Sequence, residues 1–204
     1  MTIWAIVPVK PLRRGKSRLA GMLTEEQRTR LNRWLLEHVL STLNEIPEIE
    51  HTLVVSRDPA ALALTREMGG RTVLEDGAPQ FNTALKRATV VARAHGAHAV
   101  LVLPADIPLI TAQDIRAILR KGRKPPAVVI SPDRRRDGTN GLFVNPAGLI
   151  EYGYGPGSFQ RHSQRAAEAG VRLAIFESDR VGLDLDLPED LELLGGLENL
   201  KLTK

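Results

Sequence analysis

The sequence predicts a three-layer α/β fold built on a mostly parallel sheet. Short apolar runs alternate with helix-period segments along the chain, the pattern of strands joined by covering helices. The run "HAVLVLPAD" at residues 98–106 is apolar almost throughout, as a strand covered on both faces should be. A length of 204 residues suits one well-buried core and is marginal for two, so residues 1–204 are expected to form a single domain.

The elements follow in order. Residues 2–9, "TIWAIVPV", read as a buried first strand that stops at Pro8. A basic, glycine-containing loop covers 10–23. In the next helix Thr24 and Gln27 form a capping box, and Leu31, Leu35, Val39 and Leu43 recur at helical spacing. A strand at 51–58 precedes a helix with Pro59 at its start and Gly69 at its end. "RTVLED" is a short third strand, and residues 81–96 form a helix ending at Gly96. After the 98–106 strand comes a helix capped by Thr111. "AVVISPD" and "TNGLFVNP" read as strands, residues 158–169 as a helix and "VRLAIFES" as a late strand. "LPEDLELLGGL" closes the chain as a helix with Pro188 in its first turn.

Composition narrows the function classes. The absence of cysteine excludes disulfides and thiolate metal sites. The apolar start "IWAIVPV" lacks a basic region before it and is too short to span a bilayer, so a soluble, cytoplasmic protein is expected, with no membrane partner. The net charge of +4 is uneven. Lysines and arginines cluster between residues 10 and 33, at 120–124 and at 133–138, whereas Asp184 to Glu198 is acidic. Such patches attract nucleotides, phosphorylated metabolites or nucleic acid. Four Phe and two Tyr offer little stacking surface, which argues against nucleic acid.

Six stretches carry candidate chemistry. "KPLRRGKS" lacks the first glycine of a Walker loop, and its Pro11 has no N–H for a phosphate cradle. The loop nevertheless follows the first strand, where open α/β sheets place ligands, so Lys10, Lys16 and Arg18 could converge on a triphosphate; a solvated basic turn is the plain alternative. Asp106 follows a buried strand, and a carboxylate there needs a partner or a cation. Asp184 and Asp186, two apart on an extended segment, face the same side while Leu183, Leu185 and Leu187 face the other; a divalent cation would relieve their repulsion. Thr139 and Asn140, in "DGTNG", offer polar groups between flexible glycines, as would any hairpin turn. Gly157 and Ser158 precede a helix whose free N–H groups would attract phosphate or carboxylate, with His162 a turn further in. Glu75 and Asn82 flank a turn that could read a base edge or be merely solvated.

The ordered set "AIVPVKPLRRGKSRLAG", "LEDG..QFNTAL", "VLPADIPL", "DGTNGLFV", "GPGSFQRH" and "GLDLDLPEDL" resembles the guanylyltransferases of coenzyme F420 biosynthesis, from residue 3 to about 192. The resemblance implies a GT-A-like nucleotidyltransferase fold and transfer of GMP from GTP to a three-carbon phospho-acid. Phosphoenolpyruvate is the expected acceptor, giving enolpyruvoyl-2-diphospho-5′-guanosine, with 2-phospho-L-lactate as the alternative. It further implies Mg²⁺, with Mn²⁺ as the alternative, on Asp106, Asp184 and Asp186. Lys16, Arg18 and Asp106 take the catalytic roles. Pro8, Lys10, Lys16, Arg18, Glu75, Gly77 and Asn82 form the nucleotide side, and Thr139, Asn140, Gly155, Ser158 and His162 the acceptor side. Implied partners are GTP, the phospho-acid and the downstream F420 transferase, with a homodimer left open. The family departs from the "LAGG"-type opening of the wider superfamily. The competing readings are a sugar-phosphate or cytidylyl transferase and a non-enzymatic, basic nucleic-acid-binding module.

Overall fold

Period-2 alternation along each strand gives the sheet its two covered faces. In the computed structural model, which describes residues 1–75 and 80–200, the chain runs β1 (Ile3–Pro8), α1 (Glu25–Asn44), β2 (Ile49–Ser56), α2 (Pro59–Glu67), β3 (Arg71–Leu74), α3 (Phe81–Ala94), β4 (Ala99–Val102), α4 (Ala112–Lys121), β5 (Ala127–Pro132), β6 (Thr139–Asn145), α5 (Ser158–Glu168), β7 (Arg172–Ile175), α6 (Asp179–Gly182) and α7 (Pro188–Leu193). The seven-stranded sheet has the order β3-β2-β1-β4-β6-β5-β7. All neighbours are parallel except β6, which runs antiparallel between β4 and β5.

Ile3, Ala5 and Val7 of β1 point into a core shared with α1, α2 and α4. Trp4 and Ile6 point the opposite way, into a core shared with α3 and α5. These are the three layers expected. The caps agree as well: Thr24 and Gln27 form the capping box of α1, and Thr111 caps α4 with Asp114 answering it.

One strand ends earlier than the sequence suggests. The strand expected over 98–106 pairs only through Val102, because Pro104 cannot donate to a ladder; the Leu103 N–H still reaches the Ile6 carbonyl at 3.0 Å. The "DGTNG" stretch is the end of a β5–β6 hairpin that pairs Pro132 with Thr139 and Ser131 with Gly141. It is therefore both a turn and, as described below, part of a cavity wall.

A third apolar cluster decides where the loops go. Leu19 and Leu23 of the opening loop pack with Leu31 and Leu35 of α1 and with Leu183, Leu185, Leu191 and Leu194 from the C-terminal part of the chain. Leu19 and Leu185 are fully buried. The basic loop after β1 and the acidic "DLD" segment are thus held together by leucines before any charge is considered.

Candidate active site

A cavity of about 420 Å³ opens at the C-terminal ends of β1 and β4. Because β6 is antiparallel, its N-terminal end brings Thr139 and Asn140 to the same rim. Pro8, Lys10 and Lys16 line one side, Asp106, Asp184 and Asp186 the floor, and Thr139, Gly155 and Ser158 the other side. This is the edge at which open α/β sheets take ligands.

Several backbone N–H groups of the opening loop are already used within the protein. The N–H groups of Arg14 and Gly15 both turn inward to the Pro11 carbonyl, each at 2.9 Å. Two side chains pin the loop: Asp58 accepts from the Leu12 N–H at 2.7 Å, and the Asn32 amide donates to the Leu12 carbonyl at 2.6 Å. Neither residue stands out in the sequence, since Asp58 also serves as the cap of α2, and Asn32 lies in a helix. The loop then turns at Lys16, which sits in the left-handed region at φ 58°. That conformation aims the lysine at the floor.

The Lys16 ammonium lies 2.9 Å from Asp106 Oδ2 and 2.8 Å from Asp186 Oδ1. Burial works against its charge, but the charges and hydrogen bonds of Asp106 and Asp186 outweigh burial and hold its pKa above the ordinary value. Burial acts on Asp186 the other way, yet the Lys16 charge and hydrogen bond, with Lys10 and Arg18 further off, keep that carboxyl below its ordinary value. Asp184 has no such cation. Burial, with the Asp106 charge behind it, pushes its carboxyl up to about 6, against a hydrogen bond from the Asn140 amide at 3.2 Å. Asn140 also donates to the Val181 carbonyl at 2.9 Å, so its amide hydrogens tie together α6 and Asp184.

The segment itself is clamped from behind. Asp190, buried in the first turn of α7, accepts from the N–H groups of Asp186 at 2.9 Å and Leu187 at 2.7 Å, and its other oxygen pairs with Arg134. The Leu185 N–H reaches the Asp106 carbonyl at 2.9 Å, tying the two acidic stretches.

On the opposite side, one expectation is corrected. The N–H groups of Gly157, Ser158 and Phe159 at the start of α5 already have partners. The Asp137 carboxylate takes the Gly157 N–H at 3.1 Å, the Asp137 carbonyl takes that of Phe159 at 3.0 Å, and the Gly155 carbonyl takes that of Ser158 at 3.0 Å. An anion from the protein already neutralises this helix start. Gly155 at φ 117° and Gly157 at φ 71° make the tight approach possible. What faces the cavity here is hydroxyl. Ser158 Oγ is 3.2 Å and His162 Nδ1 3.0 Å from Thr139 Oγ1, and all three residues are buried.

A family model described as guanylyl transferase, CofC-like, matches residues 3–197. The chain belongs to this family. It is 41% identical to the phosphoenolpyruvate guanylyltransferase of Rubrobacter xylanophilus, over 97% of each chain. It is 32% identical to the 2-phospho-L-lactate guanylyltransferase of Methanocaldococcus infernus, over 91% of this chain and 81% of that one. Among solved structures it resembles a putative nucleotide-diphospho-sugar transferase of Desulfovibrio desulfuricans, with a TM-score of 0.78 at 16% identity over 95% of this chain and 87% of that one. This CofC-like protein is therefore a nucleotidyltransferase, of the guanylyltransferase family of coenzyme F420 biosynthesis. The non-enzymatic binding-module reading gives way to that assignment. No described helix is long and apolar enough to cross a membrane.

Of the remaining expected positions, Arg18, Glu75 and Asn82 do not line the cavity. Arg18 is exposed and does not line the cavity, acting on Asp186 only through its charge. Asn82 is engaged by the backbone of the CofC-like protein's own loop: its amide donates to the Tyr154 carbonyl at 3.2 Å and accepts from the Tyr154 N–H at 2.8 Å. Glu75 accepts from the Gln80 N–H at 3.3 Å and lies near Arg57. Gly77 lies outside the described residues. Among the described residues, no group of three or more His, Asp or Glu side chains is arranged to hold a metal ion. Instead, Asp106 and Asp186 converge on one ammonium.

Proposed function

We propose that the protein transfers GMP from GTP to the phosphate of phosphoenolpyruvate, releasing diphosphate and forming enolpyruvoyl-2-diphospho-5′-guanosine. One observation carries this reading. A single cavity sets a carboxylate floor, bridged by Lys16, opposite a hydroxyl wall of Thr139 and Ser158. An acceptor phosphate oxygen attacks the α-phosphorus of GTP, and the α–β bridging oxygen leaves with diphosphate. The acceptor is already anionic, so the protein's task is alignment and charge neutralisation rather than nucleophilic catalysis.

Asp106 and Asp186 already converge on one ammonium, and Asp184, its carboxyl pushed up to about 6 by burial and the Asp106 charge, lies beside them. This oxygen-only donor set suits Mg²⁺ or Mn²⁺, which would withdraw charge from the phosphate oxygens. Lys16 and Lys10, on the cavity wall, neutralise the β- and γ-phosphates; Arg18 adds long-range positive charge. Thr139 and Ser158 orient the acceptor, with Gly155 giving close backbone approach. Phosphoenolpyruvate is favoured as acceptor by the higher identity to the relative that bears its name.

The test is diphosphate release with GTP and Mg²⁺, run separately with phosphoenolpyruvate, 2-phospho-L-lactate and 3-phospho-D-glycerate, with and without the downstream F420 transferase and its deazaflavin acceptor. Turnover with phosphoenolpyruvate supports the proposal. Turnover only with another acid reassigns the acceptor. Silence throughout, with the downstream system shown competent, rejects the reaction as written.

A further inference from the structure

His162 sits fully buried one turn into α5, beneath the hydroxyl wall and out of the cavity lining. Its two ring nitrogens have fixed and different partners. The Gly153 N–H donates to Nε2 at 2.9 Å, so Nε2 carries no proton. A neutral ring must then carry its proton on Nδ1, which faces Thr139 Oγ1 at 3.0 Å and donates to it. Ser158 Oγ donates to the same oxygen at 3.2 Å. Both lone pairs of the Thr139 hydroxyl are thereby filled. Its own hydrogen is left to point away from these two donors, and Thr139 is itself one of the residues that line the cavity.

We infer that His162 is a positioning residue, which fixes the Thr139 hydroxyl as a hydrogen-bond donor to the anionic acceptor, resting on the acceptor site proposed above. The alternative state of a Thr hydroxyl, donating to a neighbour and presenting lone pairs to the cavity, would repel a phosphate or carboxylate oxygen. The surroundings keep the ring neutral. Burial first, then the charges of Arg165 and Arg161, push its pKa down to about 4. The edge of the Tyr154 ring, 4.9 Å away between centroids, closes the remaining side.

The tautomer is tested on the unaltered protein by long-range ¹H–¹⁵N NMR of the histidine rings at neutral pH, with His162 assigned from its substitution. A protonated Nδ1 and a bare Nε2 are expected; a protonated Nε2 overturns the inference. The functional test uses His162→Asn, whose amide can replace Nδ1, and His162→Gln, whose amide reaches toward Gly153 instead. His162→Gln should raise the acceptor KM by about tenfold and leave the GTP KM within about twofold, the effect of one charge-assisted hydrogen bond. His162→Asn should recover part of that loss. In a Thr139→Val background, His162→Gln should add little, because the hydroxyl it orients is gone. An unchanged acceptor KM, or a full extra loss in the Thr139→Val background, refutes the role. Melting curves separate a folding defect from either result, and the NMR measurement decides the case if a variant does not fold. Wild-type protein that fails with every acceptor rejects the proposed reaction, whereas an active wild type with an unresponsive His162→Gln rejects only this inference.

Discussion

Lys16 and Asp186 are 170 residues apart in the chain and 2.8 Å apart in the structure. The contact exists because Leu19 and Leu23 bury themselves against Leu183 and Leu185, and because Lys16 accepts a left-handed backbone to face the floor. Lys16→Met keeps the length and apolar stem but leaves Asp106 and Asp186 facing each other without a cation. Guanylyl transfer should fall by about a hundredfold or more, as when one charge-stabilising group is removed from an active site. Diphosphate release in steady state measures this, and a rate near wild type would remove Lys16 from the machinery.

Asp106→Ala should abolish most turnover while the fold survives. Its side chain is 32% exposed, and its known partner, Lys16, keeps Asp186. Circular dichroism and the melting midpoint should change little. Full diphosphate release in this variant would sink the cation-binding role.

Thr139→Val and Ser158→Ala should both raise the acceptor KM more than the GTP KM, with Thr139→Val the stronger, by about tenfold. Ser158→Ala removes one of the donors that orient Thr139 and should act more mildly. Equal changes for both substrates would move these residues off the acceptor side.

Asp190→Ala tests the clamp. It strands two backbone N–H groups and the Arg134 guanidinium, so a stability loss of about 3 kcal/mol is expected by urea unfolding. Turnover should drop further than folding alone explains, because Asp186 loses its backing. A variant as stable and active as the parent would show the clamp to be idle.

The His162 ring also predicts a pH dependence of stability. Its folded pKa of about 4 lies below the ordinary 6.5, so the unfolded chain takes up the proton first as pH falls. The stabilising contribution is complete above about 6.5 and is lost progressively down to about 4, by up to about 3 kcal/mol. Unfolding free energies measured across that range should fall less steeply in His162→Asn than in wild type.

The fold was legible because its signals are local and redundant: a capping box at Thr24, a cap at Thr111, alternation in the strands, and the all-apolar β4. Strand ends marked Asp106 and the loop that carries Lys16, and two-residue spacing put Asp184 and Asp186 on one side; that Lys16 would bridge Asp106 and Asp186 was not legible there. What the sequence concealed were the residues that work on other residues. Asp137 occupies the helix start where a ligand was expected, Asn82 holds the Tyr154 backbone, and Asp58 and Asn32 pin the opening loop. Each is an ordinary polar residue whose meaning comes from a partner distant in the chain. No periodicity or motif marks such a pairing.

The leucine seam that joins the opening loop to the "DLD" segment also sets the order in which a growing chain can become competent. All seven strands are present once Ile175 has been made, yet Leu19 and Leu23 have only Leu31 and Leu35 of α1 against them and still lack Leu183, Leu185, Leu191 and Leu194, and Lys16 lacks one of its two carboxylates. A nascent chain that has built its whole sheet would still carry a half-covered apolar loop and only Asp106 of the three floor carboxylates. Synthesis of the last acidic segment closes both together, so the carboxylate floor is completed with the cover of the loop rather than ahead of it.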